Sequence, residues 1–189
     1  MTIDEQKRTM RSQMRAQCKA LQGGAREAFS AAACERLAAL PAFIGASCIL
    51  AYKAMPHECD PQRLVEIAWE MGKKIAFPVC AEDYSLRLWI PKTRDAFLKG
   101  KYGIWEPDPS RAAQIEADAL DLIVVPGVAF DASCRRLGQG AGYYDRLLQT
   151  VGAVKIGVAF PLQIVASVPV RAHDVALDVV VTADTVFSR

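Results

Sequence analysis

The sequence predicts an α/β fold, an open and largely parallel sheet flanked by helices, and three observations carry that prediction. Short apolar runs rich in β-branched residues alternate with stretches of helical periodicity. The clearest run, Asp121-Leu-Ile-Val-Val125, stops at Pro126-Gly127. The segment that follows it is polar and glycine-rich and leads into a helical pattern. The 189 residues, 52% of them hydrophobic, suit a single domain over residues 1–189 with a sizeable core.

Taken in order, Asp4 to Leu21 reads as a helix, because Ile3, Met10, Met14, Cys18 and Leu21 form one apolar stripe. Gly23-Gly24 is expected to stop it, and a second helix runs from Arg26 to Leu40, ended by Pro41. Together these two helices could form a small N-terminal lobe. Cys48 to Tyr52 has the length of a strand. Pro61 to Glu70 reads as a helix with Asp60 at the N-cap and Pro61 in the first turn. Lys74 to Cys80 and Leu86 to Ile90 are strands, whereas Pro91 to Leu120 carries little pattern beyond a loop marked by Pro107 and Pro109. After the buried strand at 121–125, Asp131 to Gly142 reads as loop and Tyr143 to Val151 as helix. Lys155 to Phe160 is a strand, and Asp178 to Val181 is expected to be the last one.

Composition excludes several function classes. A formal net charge of +2 announces neither a nucleic-acid nor a membrane partner. The start, MTIDEQKRTMRSQMR, is polar and lacks an apolar leader core. The uncharged stretch Ile156 to Val170 holds Pro161, Gln163 and Pro169 and falls short of the roughly 18–20 apolar residues that span a bilayer. The six cysteines form no CxxC pair and are expected as reduced thiols, neither zinc ligands nor nucleophiles. A cytoplasmic monomer is expected.

The informative stretch is Pro126 to Asp145, PGVAFDASCRRLGQGAGYYD. Open α/β sheets bind ligands beyond the carboxyl ends of their strands, and this loop leaves such an end. Gly138, Gly140 and Gly142 alternate, so successive backbone N–H groups can face an anion, and the helix start adds its positive end. Arg135 and Arg136 add charge. Asp145 stands in the first helical turn, where it can hold a metal ion against phosphate or simply satisfy the helix dipole. The pattern is neither a Walker A loop nor a dinucleotide fingerprint, so physical reasoning reaches a phosphate-binding loop and stops there.

The string PGVAFDASCRRLGQGAGYYDRLL resembles the signature of the 5-formyltetrahydrofolate cyclo-ligase family, PG-x-x-FD…RLG-x-G-x-G-[FY]-YD. Other pieces fall in the family's order: Lys7-Arg8-Thr9-Met10-Arg11, Glu58, Tyr102-Gly-Ile-Trp-Glu-Pro107, and His173-Asp174 with Asp178-Val-Val-Val-Thr182. The resemblance spans Lys7 to Thr182. Ala141 departs from the glycine that many bacterial members carry. The family's fold is similar to the sugar-isomerase and CoA-transferase type.

This resemblance implies an ATP- and Mg²⁺-dependent closure of 5-formyltetrahydrofolate to 5,10-methenyltetrahydrofolate. It places Lys7, Arg8, Thr9, Met10 and Arg11, together with Arg136, Leu137, Gly138, Gln139, Gly140, Ala141, Gly142, Tyr143 and Tyr144, around ATP. Arg136 and Tyr144 stand as catalytic candidates, and Asp145 and Asp174 as the Mg²⁺ ligands. The folate falls to Lys53, Met55, Glu58, Tyr102 and the loop from Gln139 to Tyr143. His57 has no evident partner in the sequence and reads as a surface residue. Two alternatives stand beside this: a related ATP-dependent ligase, and a non-catalytic folate- or nucleotide-binding regulator. The regulator's mark would be loss of the glycine loop or of the metal carboxylate, and both are retained.

Overall fold

The computed structural model describes residues 1–100, 103–172 and 174–189. The chain opens with helices α1 (Ile3–Ala20), α2 (Gly23–Ala38) and α3 (Pro41–Gly45), then strand β1 (Cys48–Leu50), helix α4 (Gln62–Glu70) and strands β2 (Lys74–Cys80) and β3 (Leu86–Pro91). Short strands β4 (Phe97–Lys99), β5 (Trp105–Pro107) and β6 (Ala112–Ile115) precede the central β7 (Leu122–Val125). Then come β8 (Ala129–Asp131), β9 (Arg136–Leu137), α5 (Tyr143–Thr150), β10 (Val154–Val158), β11 (Ile164–Val165), β12 (Val179–Val181) and β13 (Val186–Ser188).

Among the described residues, eight strands form the main sheet in the order β13-β12-β10-β7-β1-β2-β3-β6. The strands from β12 to β2 pair in parallel. Both edges are antiparallel, β13 on one side and β3 with β6 on the other. Alternation along each strand fills two cores. Ile49, Leu122 and Val124 pack with α1, α2 and α4 through Met14, Cys18, Leu37 and Leu64. Leu50, Ile123 and Val125 point the other way, onto Leu147 and Leu148 of α5. The first two helices thus share the sheet's core instead of forming a separate lobe.

The connection β1–α4–β2 moves to one side of β1, whereas β7–α5–β10 moves to the other side of β7. The chain therefore diverges between β1 and β7, which opens a crevice at the carboxyl ends of these two neighbours. Both loops that carry the candidate residues leave from there.

Several local choices differ from the sequence-based expectation. The break between the first helices comes from the extended backbone at Leu21 and Gln22, and Gly23 begins α2. Pro41 opens α3 as well as ending what precedes it. Pro61 takes the N-cap position of α4, while the Asp60 carboxylate accepts from the Gln62 amide at 3.0 Å, the capping role displaced by one residue. The unpatterned region 91–120 supplies three strands, and β13 follows the strand expected to be last.

The loop expected from Asp131 to Gly142 contains part of a small sheet, β11-β8-β9. Asp131 organises it. Its buried carboxylate accepts from the amides of Ser133, Arg135 and Val168 and from the Arg135 guanidinium at 2.7–3.1 Å. Arg135 is thereby turned away from the glycine loop. Phe130 wedges between Gly127 and Gly157, where an added Cβ would lie 2.4 and 2.7 Å from the ring. The wedge fixes how the chain leaves β7.

Candidate functional site

Two cavities meet at the crevice and share one wall, the loop from Gly138 to Gly142. The smaller, about 390 Å³, is charged: Lys7, Arg11, Arg136, Arg146 and Arg171 face Asp4, Asp145 and Asp174 there. Five cations against three carboxylates leave it suited to an anion. The larger, about 460 Å³, is walled mainly by apolar and aromatic surface, including Tyr52, Pro78, Leu86, Ile104, Trp105 and Tyr143. Its size and walls suit a flat heterocycle held by a few polar groups.

The glycine loop is built to accept arginines. A Cβ on Gly138 would lie 3.1 Å from Arg136 Nη1, one on Gly140 3.5 Å from Arg11 Cζ, and one on Gly142 3.0 Å from Arg146 Nη1. Gly140 and Gly142 also need φ of +110° and +79°, a region that side chains with Cβ avoid. Gly142 is the N-cap of α5, so its neighbours' N–H groups and the helix's positive end face the same space. Arg11 Nε ties the loop to α1 by donating to Gly138 O at 2.8 Å. Burial and the nearby Arg15 lower the Arg11 pKa, while Asp174 and Asp145 oppose them.

The expected metal carboxylates both line the charged cavity, each held by a cation. Arg136 Nη2 donates to Asp145 Oδ1 at 2.5 Å, and Lys7 Nζ donates to Asp174 Oδ2. No cluster of three or more His, Cys, Asp or Glu side chains suited to a metal occurs among the described residues. Two carboxylates facing one anion-binding cavity are nevertheless a donor set that fits Mg²⁺, which commonly takes one or two carboxylates with phosphate oxygens and water.

In the larger cavity Glu58 is buried and its rotamer is fixed. Its Oε2 accepts from the Met55 amide at 2.9 Å and its Oε1 from Gln139 Nε2 at 2.7 Å. Burial pushes its pKa above the usual carboxylate range, against the pull of these two donors. Lys53 donates to Gln62 Oε1 at 3.0 Å and lies 4.6 Å over the Phe97 ring. Burial lowers its pKa, and Asp60 and Glu66 oppose the shift. The Tyr144 hydroxyl is buried and has no hydrogen-bond partner among the described residues. Burial raises its pKa, so it stays protonated.

Most expected residues thus gather on one cavity or the other. Arg136, Gly138, Gly140, Gly142 and Asp145 line both. Leu137 lines only the charged cavity, while Gln139, Ala141, Tyr143 and Tyr144 line only the larger one. Three members of the N-terminal motif stand apart. Arg8 lines neither cavity but a neighbouring hollow along α1 that it shares with Arg11 and Arg15, Thr9 is exposed, and Met10 packs on the core. Tyr102 and His173 lie outside the described residues. His57 is no bare surface residue: it lines the larger cavity with Nε2 3.2 Å from Gln139 Nε2.

Arg15, Arg146 and Arg171 were not anticipated, while Trp105 and Glu106 belong to the quoted segment Tyr102 to Pro107 without having been given a role. Arg15 was legible, since it continues the stripe of Lys7 and Arg11 at four-residue steps. Arg146 follows Gly142 by the same step. Arg171 depends on long-range packing and carried no local signal.

Comparison with known proteins gives the site a lineage. The profile of the 5-formyltetrahydrofolate cyclo-ligase family matches residues 3–183. The 5-formyltetrahydrofolate cyclo-ligase of Escherichia coli K12 is 30% identical over 162 residues, covering 82% of this chain and 88% of the relative. That of Mus musculus is 26% identical over 197 residues, covering 98% and 97%. The NMR structure of Aquifex aeolicus 5,10-methenyltetrahydrofolate synthetase superposes with a TM-score of 0.84 at 31% identity, covering 96% of this chain and 92% of the other. A Mycoplasma pneumoniae 5,10-methenyltetrahydrofolate synthetase shares the fold at a TM-score of 0.76 and 22% identity, covering 94% and 98%. With the matched span running across both cavities and the loop between them, the chain belongs to the 5-formyltetrahydrofolate cyclo-ligase family.

Proposed function

We propose that the protein closes 5-formyltetrahydrofolate to 5,10-methenyltetrahydrofolate with ATP and Mg²⁺, releasing ADP and phosphate. The observation that carries this reading is the shared wall. A charged cavity for polyphosphate and an apolar cavity for a pteridine meet along Gly138 to Gly142, so the γ-phosphate and the formyl group can be brought into line.

The formyl oxygen is a poor leaving group. It attacks the γ-phosphorus, the bond to the ADP oxygen breaks, and the oxygen becomes part of a phosphate. The second folate nitrogen then attacks the activated carbon, closes the five-membered ring and loses its proton as phosphate departs. Such chemistry asks the protein mainly for positioning and charge neutralisation. Arg11, Arg136 and Arg146 crowd the glycines and would neutralise the phosphates. Asp145 and Asp174 would hold the metal, which supplies further compensation for the charge spread over the transferring oxygens. Glu58 presents a carboxylate to the donor-rich edge of the pteridine, with Met55, Lys53 and Tyr143 around it. The Tyr144 hydroxyl, on a ring beside Arg136, would donate to the formyl oxygen as it departs with phosphate.

We read residues 1–189 as one functional unit acting as a monomer, since both cavities are built within a single chain. A cytosolic setting suits the free cysteines, of which Cys34 is pushed by burial up to about 12 and is inert as a nucleophile. No helix among the described residues is long and apolar enough to cross a membrane. The deciding experiment mixes protein, ATP, Mg²⁺ and 5-formyltetrahydrofolate and follows methenyl absorbance. Product formation that stops when either ATP or Mg²⁺ is withheld is the expected result. Full-rate closure in excess chelator would overturn the metal assignment, and no closure at all would overturn the activity.

A further inference from the structure

Arg15 places two of its three guanidinium nitrogens on one residue of the glycine loop. Its Nη2 donates to Gln139 Oε1 at 2.5 Å and to Gln139 O at 3.2 Å, and its Nε donates to the same Oε1 at 3.1 Å. An amide has one acceptor end and one donor end, and the fork takes the acceptor end. The NH₂ group must then face the other way, where it lies 2.7 Å from Glu58 Oε1 and 3.2 Å from His57 Nε2. Both of its hydrogens are thereby used. The second contact requires His57 Nε2 to accept, so the imidazole is neutral and carries its proton on Nδ1.

We propose that Arg15 is a positioning residue for the folate site. It fixes the orientation of the Gln139 amide, which in turn holds the Glu58 carboxylate and the His57 tautomer in the arrangement that reads the pteridine. The inference rests on the larger cavity being the folate site. Without the fork, the Gln139 amide is free to rotate by half a turn. Its oxygen would then face the Glu58 carboxylate and repel it, and His57 would meet an acceptor in place of a donor. The clamp comes from α1, whose Lys7 and Arg11 face the other cavity. One helix therefore sets the geometry of both half-sites.

The simpler role for a cation at a cavity wall is direct contact with an anionic end of the substrate, and the test separates the two. Arg15→Met, Arg15→Lys, Gln139→Leu and the double variant Arg15→Met/Gln139→Leu are assayed with 5-formyltetrahydrofolate and with the methylamide of 5-formyltetrahydropteroate, a pteroate compound that carries no carboxylate. The clamp predicts that Arg15→Met raises KM about tenfold on both compounds with kcat and the KM for ATP unchanged, the size of a lost charge-assisted contact. Lysine does not restore binding, because it lacks the fork, and the double variant is no worse than Gln139→Leu alone. Imidazole ¹⁵N NMR shows His57 as the Nδ1–H tautomer in the parent and shifted toward Nε2–H in Arg15→Met. A penalty that vanishes on the pteroate compound, rescue by lysine, additive losses or an unchanged tautomer would each overturn the clamp. A parent protein inert toward 5-formyltetrahydrofolate would sink the folate reading, while the tautomer comparison would still decide the clamp.

Discussion

Arg136 and Asp145 meet at 2.5 Å in the seam between the two cavities, and both residues face both spaces. The Arg136 side chain is only 3% exposed, and its other end is anchored by donating to Pro126 O at 3.0 Å. Asp145 is therefore the partner of a buried cation, and on the proposed reading it would also be a carboxylate that holds the metal.

The variant Asp145→Asn separates these duties. Asparagine keeps an acceptor for Arg136 but lacks the charge that a hard cation requires. Thermal melting should show a folded protein weakened by about 1–3 kcal/mol, the cost of loosening a charged hydrogen bond. The kcat at saturating ATP should fall by about two orders of magnitude or more. Near-normal turnover would move the metal site elsewhere.

Tyr144→Phe should behave in the opposite sense on stability. The hydroxyl that it deletes is buried and unpartnered among the described residues, so its removal relieves a desolvation cost. Melting should be unchanged or improved, by up to about 1 kcal/mol. Turnover should fall about a hundredfold if the hydroxyl donates to the reacting oxygen. A variant that is both stable and fully active would leave Tyr144 as packing.

Glu58 makes stability depend on pH. Its folded pKa lies above the ordinary 4.5, so folding favours the protonated form. The contribution of Glu58 is fully present below about 4.5 and is lost as pH rises through the raised folded value. Glu58→Gln cannot titrate. The parent's stability relative to the variant should therefore decline between acid and neutral pH, as read from paired melts. A difference that grows with pH would contradict the burial argument. Separate titrations should show the same variant weakening folate far more than ATP.

Gly142→Ala should cost about 1–2 kcal/mol, because it forces a Cβ into left-handed backbone. That Cβ would also lie 3.0 Å from Arg146 Nη1, so ATP binding should weaken as well. Ala141→Gly is the matched control. Ala141 is exposed, and its substitution should shift melting by less than about 1 kcal/mol while leaving ATP affinity intact. Equal effects at the two positions would mean that the loop has no conformational requirement.

The parallel strands were legible because buried strands read as continuous apolar runs, as Leu122–Val125 does. The glycine loop was legible for the same local reason. What escaped was held by distant partners. Strands β8, β9 and β11 are two or three residues each and exist because the Asp131 carboxylate gathers the amides of two separate segments. Glu58 could be picked out by its matching position, but its burial and its link to Gln139 could not, since 81 residues separate them. His57 reads as surface in the sequence because its hydrogen-bond partner, Gln139, comes from that same distant loop.

The thin partition between the cavities also bears on inhibition. Among the described residues, the loop from Gly138 to Gly142 and one ion pair stand between a cavity suited to a flat ring and a charged cavity suited to an anion. A single molecule carrying both kinds of group could cross that partition beside Arg136 and engage the two ends at once. Its second end would bind at an effective concentration on the order of millimolar, set by the short linker, with no new contact required. Whatever spans the wall would gain that advantage only if its linker follows the path that the proposed phosphoryl transfer would take.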